Sequence, residues 1–254
     1  RDGTVTAEEV GRCINDKTIL VSVMTANNEI GTIMPIKDIV RKNNLRNRGI
    51  LFHTDAVQAY GHIYINVNEA GIDMLSASAH KFRGPKGVGF MYIRRDAIET
   101  ALIHGGSQEM GMRAGTENAA SIIGMAKAAQ IAMETMNERR IKETQLRNYM
   151  IQKIIKNFKG VRLNGSSQNR LPNNINICFE GQNGYSIVSH LDRFGICASA
   201  GSACSSASSK PSHVLKAIGM TDEQARSSVR FTLNEDITFK DIDYTIECLY
   251  KIIN

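Results

Sequence analysis

Short apolar runs, each closed by polar residues, alternate along the first half of the chain. Ile19-Leu20-Val21-Ser22-Val23-Met24 empties into Asn27-Asn28-Glu29-Ile30-Gly31 and reads as a buried strand entering a polar turn. Pro35 stands at the start of a helical stretch over residues 36–43. Gly49 to Asp55 is a second strand whose end carries an acid, and Met74 to Ala77 a third, ending in Ser78-Ala79-His80-Lys81. Val88 to Ile93, rich in β-formers and preceded by Gly84-Pro85-Lys86-Gly87, is a fourth. Strands alternating with helices predict an α/β sheet covered on both faces. In such sheets ligands bind outside the carboxyl ends of the strands. The polar residues above all fall at those ends, so the pattern points to one site.

The character changes between residues 121 and 158. Leu146, Met150, Ile154 and Phe158 recur every fourth residue, a helical stripe. The stretch exceeds a typical globular helix, which predicts a break near Asn137 to Arg140, where polar residues cluster. That break is the expected domain boundary, giving a first domain over residues 1–138 and a second over 139–254. The second carries a strand over 174–179, a helix around 187–192, a Ser-rich loop over 198–209, a strand-like 228–233 and a closing helix over 240–253.

The 254 residues suffice for one large domain or two modest ones, with an ordinary globular share of apolar residues. No apolar run reaches 18 residues, so no membrane-spanning helix is expected. The formal net charge is +6. Its basic residues are spread rather than blocked, which suits a solvated surface better than a nucleic-acid site. The five cysteines, Cys13, Cys178, Cys197, Cys204 and Cys248, are an odd number with no C-x-x-C pair. A disulfide framework and a structural zinc site are therefore not expected, a reducing cytoplasm is, and four of the five read as buried filler.

Chemistry gathers at a few positions. A lysine just past a strand, with Ser78 and His80 beside it, suits a cofactor aldehyde and its phosphate, since a partly desolvated amine forms a Schiff base readily. An exposed loop lysine is the plain alternative for Lys81. Asp55 could keep a pyridine nitrogen protonated, as the electron sink of pyridoxal phosphate (PLP) requires. It could instead cap a helix starting at Ala56. The small-residue stretch Ala198 to Ser206 cannot pack a core, but can move a thiol at Cys204; it also reads as a linker with an incidental cysteine. Arg230 could clamp a carboxylate bidentately or sit in a structural ion pair. The glycine-rich Gly105 to Thr116 could offer backbone N–H groups to an anion.

Taken together and in order, these stretches resemble the NifS-like branch of the cysteine desulfurases, PLP enzymes of fold type I. The matching runs are Asn27 to Gly31, His53-Thr54-Asp55-Ala56-Val57-Gln58, Ser78 to Lys81 with Gly84 to Gly87, Gly105 to Thr116, Ala200 to Ser205 and Arg230 to Leu233.

The resemblance implies a PLP-dependent transferase fold: a large domain with a mostly parallel sheet, incomplete at the N-terminus, and a smaller α+β C-terminal domain. It implies Lys81 as the Schiff-base lysine, Asp55 as the pyridinium partner, and Gln58 and Asn28 near the cofactor's phenolic oxygen and the substrate. Ser78 and His80 would hold the phosphate, and Thr116 would reach the phosphate in the neighbouring subunit of a homodimer. Arg230 would bind the carboxylate of L-cysteine, and Cys204 would take its sulfur as a persulfide while alanine leaves. Sulfur-acceptor proteins of iron–sulfur assembly or tRNA thiolation would be partners, with no direct nucleic-acid contact. The family also carries an N-terminal segment with a phosphate-binding turn and a ring-stacking histidine. This chain opens on Arg1-Asp2-Gly3-Thr4 without them, so it reads as a fragment. A selenocysteine lyase, another PLP lyase of this fold, or a non-catalytic interaction module are the rival readings.

Overall fold

The computed structural model describes residues 2–95, 97, 100–201 and 210–253. They form two compact units: one comprises Val5–Thr25 and Pro35–Met136, the other Arg1–Thr4, Ala26–Met34 and Asn137–Asn254.

The first unit is built on four strands, β1 (Leu20–Ser22), β2 (Leu51–Asp55), β3 (Met74–Ser78) and β4 (Gly89–Ile93), in that spatial order. β1 and β3 each run parallel to β2, and β4 returns antiparallel to β3. Alternation along β2 buries Phe52 and Thr54 and leaves Leu51, His53 and Asp55 half-buried on the other face. Helix α1 (Ala7–Cys13) starts on a capping box in which Thr6 and Glu9 satisfy each other's backbone N–H. Helix α2 (Ile36–Lys42) buries Ile36, Ile39 and Val40, the spacing of one helical face. A single turn, α3 (Val67–Ala70), is capped by Asn66.

Asp73, 2% exposed just before β3, anchors the amino ends of the strands. Its carboxylate accepts the N–H of Phe52 at 2.8 Å and the Nε–H of Arg94 at 2.6 Å.

Two expectations about this unit need correction. The 19–24 run holds a strand, β1, but not a buried one: Ile19 is 78% and Leu20 46% exposed, β1 being the outer strand of the sheet among the described residues. The long helical stretch breaks at Thr135, between α4 (Ala119–Glu134) and α5 (Met136–Asn157), and Asn137 to Arg140 lie inside α5. At the break, Thr135 Oγ1 donates back to the carbonyl of Ile131.

In the second unit, β5 (Val161–Leu163), β6 (Asn174–Phe179) and β7 (Ser228–Thr232) form an antiparallel sheet with β6 in the centre. Every residue of β6 is buried. The stripe expected on α5 is real: Leu146, Met150, Ile154 and Phe158 are all at most 6% exposed, and they share one core with Ile175, Ile177 and Phe179 of β6. Helix α6 (Gly184–Arg193) adds Ile187 and Leu191 to this core. After the short helices α7 (His213–Ala217) and α8 (Asp222–Arg226), the closing helix α9 (Phe239–Ile253) covers it with Ile242, Ile246 and Leu249. A parallel-rich sheet and an antiparallel α+β unit are the two architectures that the resemblance implies, but the α+β unit is not the smaller of the two.

Two buried arginines stiffen the second unit. Arg170, 4% exposed, donates to the carbonyls of Ile30, Asn164, Ser166 and Asn174. Arg147 donates to the carbonyls of Arg170 and Leu171. Burial, together with the charge of Arg147, pushes the Arg170 guanidinium down to about 10.

Candidate active site

Because β2 and β3 are parallel, with Asp55 opposite Ser76, their carboxyl ends lie at the same edge of the first unit's sheet. Asp55 is the last residue of β2 and Ser78 the last of β3. Asp55 Oδ1 accepts the N–H of Val57 at 2.8 Å. That bond closes a turn and caps no helix: the helix expected at Ala56 is absent, and residues 57–62 are turns tied by Tyr60 N–H to the carbonyl of Ala56. Gln58 sits half-buried in this turn, three residues beyond Asp55.

Past β3 the chain tightens into a 3-10 turn, Ala79–Phe82, which carries His80 and Lys81. Ser78 Oγ and His80 Nδ1 are hydrogen-bonded at 2.8 Å, so the two groups expected to meet one anion already lie side by side. His62 Nε2 donates to the carbonyl of Lys81 at 3.2 Å and fixes the backbone from which the amine extends. The side chain of Lys81 is exposed.

A polar row crosses the sheet face that carries Asp55. His53 Nδ1 meets Ser22 Oγ at 2.8 Å and His53 Nε2 meets Ser76 Oγ at 3.1 Å, linking β1, β2 and β3. Sequence reading gave neither His53 nor His62 a role. The available signal for His53 was its position two residues before Asp55 on a strand, which puts both on one face. Thr116 is exposed just ahead of Asn118, the N-cap of α4. The glycine-rich segment before it is pinned by Gly115 N–H to Gln108 Oε1 at 3.2 Å.

The second unit holds the other candidates. Arg230, on β7, donates from Nη1 to the backbone carbonyl of Asn28 at 2.6 Å. Asn27 Oδ1 shapes that turn by accepting the N–H groups of Glu29 and Ile30. Cys204 lies outside the described residues. Its segment enters through Ser199, which exchanges two backbone hydrogen bonds with Arg230, at 3.0 and 2.7 Å.

Of the four cysteines expected as filler, Cys178 and Cys248 are buried, and burial pushes the Cys178 thiol up. Cys13 and Cys197 are exposed, so the filler reading fails for them: Cys13 ends a short surface helix and Cys197 lies in the loop beyond α6.

The set thus falls into two groups. Asp55, Gln58, Ser78, His80, Lys81 and Thr116 belong to the first unit, and Asn28 and Arg230 to the second. An acid, an amine and a hydroxyl–imidazole pair at one sheet end can serve a ring nitrogen, an aldehyde and a phosphate; Arg230 can serve a carboxylate.

Known proteins share this chain's sequence and fold. The aminotransferase class-V family matches residues 1–245. A protein of Dictyoglomus turgidum described as cysteine desulfurase IscS is 51% identical over 253 residues, covering 100% of this chain and 64% of that relative. A solved structure described as a NifS-like protein superposes with a TM-score of 0.90 at 34% identity, covering 99% of this chain and 66% of the other. Another, described as SspA in complex with cysteine, gives 0.75 at 35% identity, covering 91% and 63%. The chain spans about 64% of the length of the curated relatives it matches.

Proposed function

The chain belongs to the aminotransferase class-V family, and from that premise we propose that it is the greater part of a cysteine desulfurase that uses PLP. The observation that carries this reading is the shared carboxyl end of β2 and β3, where Asp55, the Ser78–His80 pair and the turn bearing Lys81 gather. The donor set suits that cofactor: a carboxylate for the pyridinium, an amine for the aldehyde, a hydroxyl and an imidazole for the phosphate. When bound, PLP supplies an electron sink for negative charge at the substrate Cα, effective while its ring nitrogen is protonated.

The chain's own residues do the rest. Arg230 binds the carboxylate of L-cysteine, and Asn28 and Gln58 orient it. Lys81 takes the Cα proton. The Cys204 thiolate attacks the substrate sulfur: an S–S bond forms as the C–S bond breaks, and the electron pair stays with the substrate carbon. That carbon takes up a proton and becomes the methyl of alanine, leaving a persulfide on Cys204. A thiolate whose pKa lies near ambient pH attacks sulfur best. The relatives' description as cysteine desulfurase, and a neighbour described in complex with cysteine, support this substrate.

The finer reading is a cytoplasmic homodimer in which Thr116 reaches the partner's cofactor phosphate. The persulfide would be handed to acceptors of iron–sulfur assembly or tRNA thiolation. Leu102, Met110 and Ile123, at 93%, 97% and 70% exposure, flank Thr116 in sequence and support a partner on that side.

The test is colour followed by product. The full-length protein incubated with PLP becomes yellow, bleaches with borohydride, and releases alanine from L-cysteine. A protein that stays colourless and yields no alanine would instead be a non-catalytic interaction module. Faster alanine release from selenocysteine than from cysteine would move the reading to a selenocysteine lyase.

A further inference from the structure

We propose that Glu29 is a positioning residue for sulfur abstraction, holding the root of the Cys204 segment to the turn that carries Asn28; the proposal rests on the desulfurase reading above. Glu29 is a carboxylate at 2% exposure with no place in the chemistry assigned so far. It accepts the hydroxyl of Ser212 at 2.6 Å, a short charge-assisted hydrogen bond. Its own backbone is fixed: the carbonyl accepts from Asn174 Nδ2 at 3.3 Å and Asn176 Nδ2 at 3.1 Å, and the N–H goes to Asn27 Oδ1 at 2.8 Å. Asn174 and Asn176 lie on the fully buried β6, so Glu29 extends from the rigid centre of its unit.

Ser212 follows the Cys204 segment, and Ser199 precedes it. Ser199 is held by the paired backbone bonds to Arg230, whose guanidinium reaches the carbonyl of Asn28, the residue before Glu29. Both roots of the segment are therefore tied to the Asn28–Glu29 turn, one through Arg230 and the other through the Glu29 carboxylate. Ala200 and Gly201 on one root, and Lys210, Pro211 and Ser212 on the other, line a cavity of about 260 Å³ together with Glu29. At its border the hydrogen bonds of Ser199 and Ser212 tie both roots to the turn. Reaction between a thiolate and a bound sulfur is sensitive to such placement: an error of about 1 Å can cost on the order of 10²-fold in rate.

The experiment uses the full-length, PLP-loaded protein with Glu29→Ala, Glu29→Gln, Ser212→Ala and Ser212→Thr. Two rates are measured: alanine release from L-cysteine, which needs Cys204, and exchange of the Cα hydrogen of L-alanine in heavy water, which needs only Lys81, Arg230 and the cofactor. Glu29→Ala and Ser212→Ala are expected to lower kcat for alanine release by about 10- to 100-fold, with KM and the exchange rate within about twofold of the parent. Glu29→Gln and Ser212→Thr, which keep an acceptor and a donor, restore most of the loss. Unchanged alanine release in the alanine variants overturns the proposal. So does a parallel fall of both rates, the mark of a merely structural role. A parent protein that performs neither reaction sinks the desulfurase reading itself and the proposal with it.

Discussion

Lys81→Ala in the full-length protein is expected to lower alanine release from L-cysteine by about 10²- to 10⁴-fold, the range typical of removing a positioned general base. The position explains the size of the effect. Lys81 sits in the 3-10 turn that follows β3 directly, and its backbone is tied through its carbonyl to His62. Lys81→Arg should be as inactive as Lys81→Ala, because a guanidinium keeps the charge but neither gives up its proton nor condenses with an aldehyde. Both variants should also lose the absorbance of the lysine-bound cofactor. Recovery of turnover in Lys81→Arg, measured by alanine release, would mean that only positive charge matters there.

The second large effect is on stability. Arg170→Met is expected to destabilise the second unit by about 3–5 kcal/mol, read as a lower urea midpoint with little change in slope. Arg170 donates to four buried backbone carbonyls, of Ile30, Asn164, Ser166 and Asn174, and the apolar replacement leaves those acceptors without it. Burial of a charge opposes folding, and it shows in the Arg170 guanidinium being pushed down to about 10. Removing that charge therefore gives back part of what the hydrogen bonds lose, which keeps the expected effect at several kcal/mol rather than their full sum. A change below about 1 kcal/mol would show that water or relaxation replaces the lost donors. Since Ile30 closes the turn that contains Asn28, the variant should also raise KM for cysteine.

Most of the fold was legible because its signals are local. The alternation that buries Phe52 and Thr54 is a period of two, and the α5 stripe from Leu146 to Phe158 is a period near four; each marks its element wherever the chain places it. What stayed hidden depends on neighbours distant in sequence. The 19–24 run is apolar enough for a central strand, but among the described residues β1 is the outer strand, and Ile19 and Leu20 are exposed. The helix break falls at Thr135, just before the polar cluster where it was expected, and the charged residues from Glu138 to Arg140, good helix formers, continue α5. Composition could not separate buried Cys178 and Cys248 from exposed Cys13 and Cys197.

The candidate site was legible in the same uneven way. Asp55, Ser78, His80 and Lys81 could be named because strand ends collect functional side chains, and β2 and β3 turned out to be parallel neighbours. His53 escaped because its role is to bridge Ser22 and Ser76, residues 31 and 23 positions away. The Glu29 contact was hidden for the same reason, its partner Ser212 lying 183 positions downstream. No spacing rule along the chain reports a hydrogen bond of that span.

The most direct measurement is the mass of the peptide containing Cys204, after one turnover of the full-length, PLP-loaded protein with L-cysteine and without reductant. The expected result is a gain of one sulfur atom on that peptide, removed by a thiol reductant and matched by one equivalent of alanine. Alanine released while the Cys204 peptide keeps its original mass, or sulfur found on Cys13 or Cys197 instead, would contradict it.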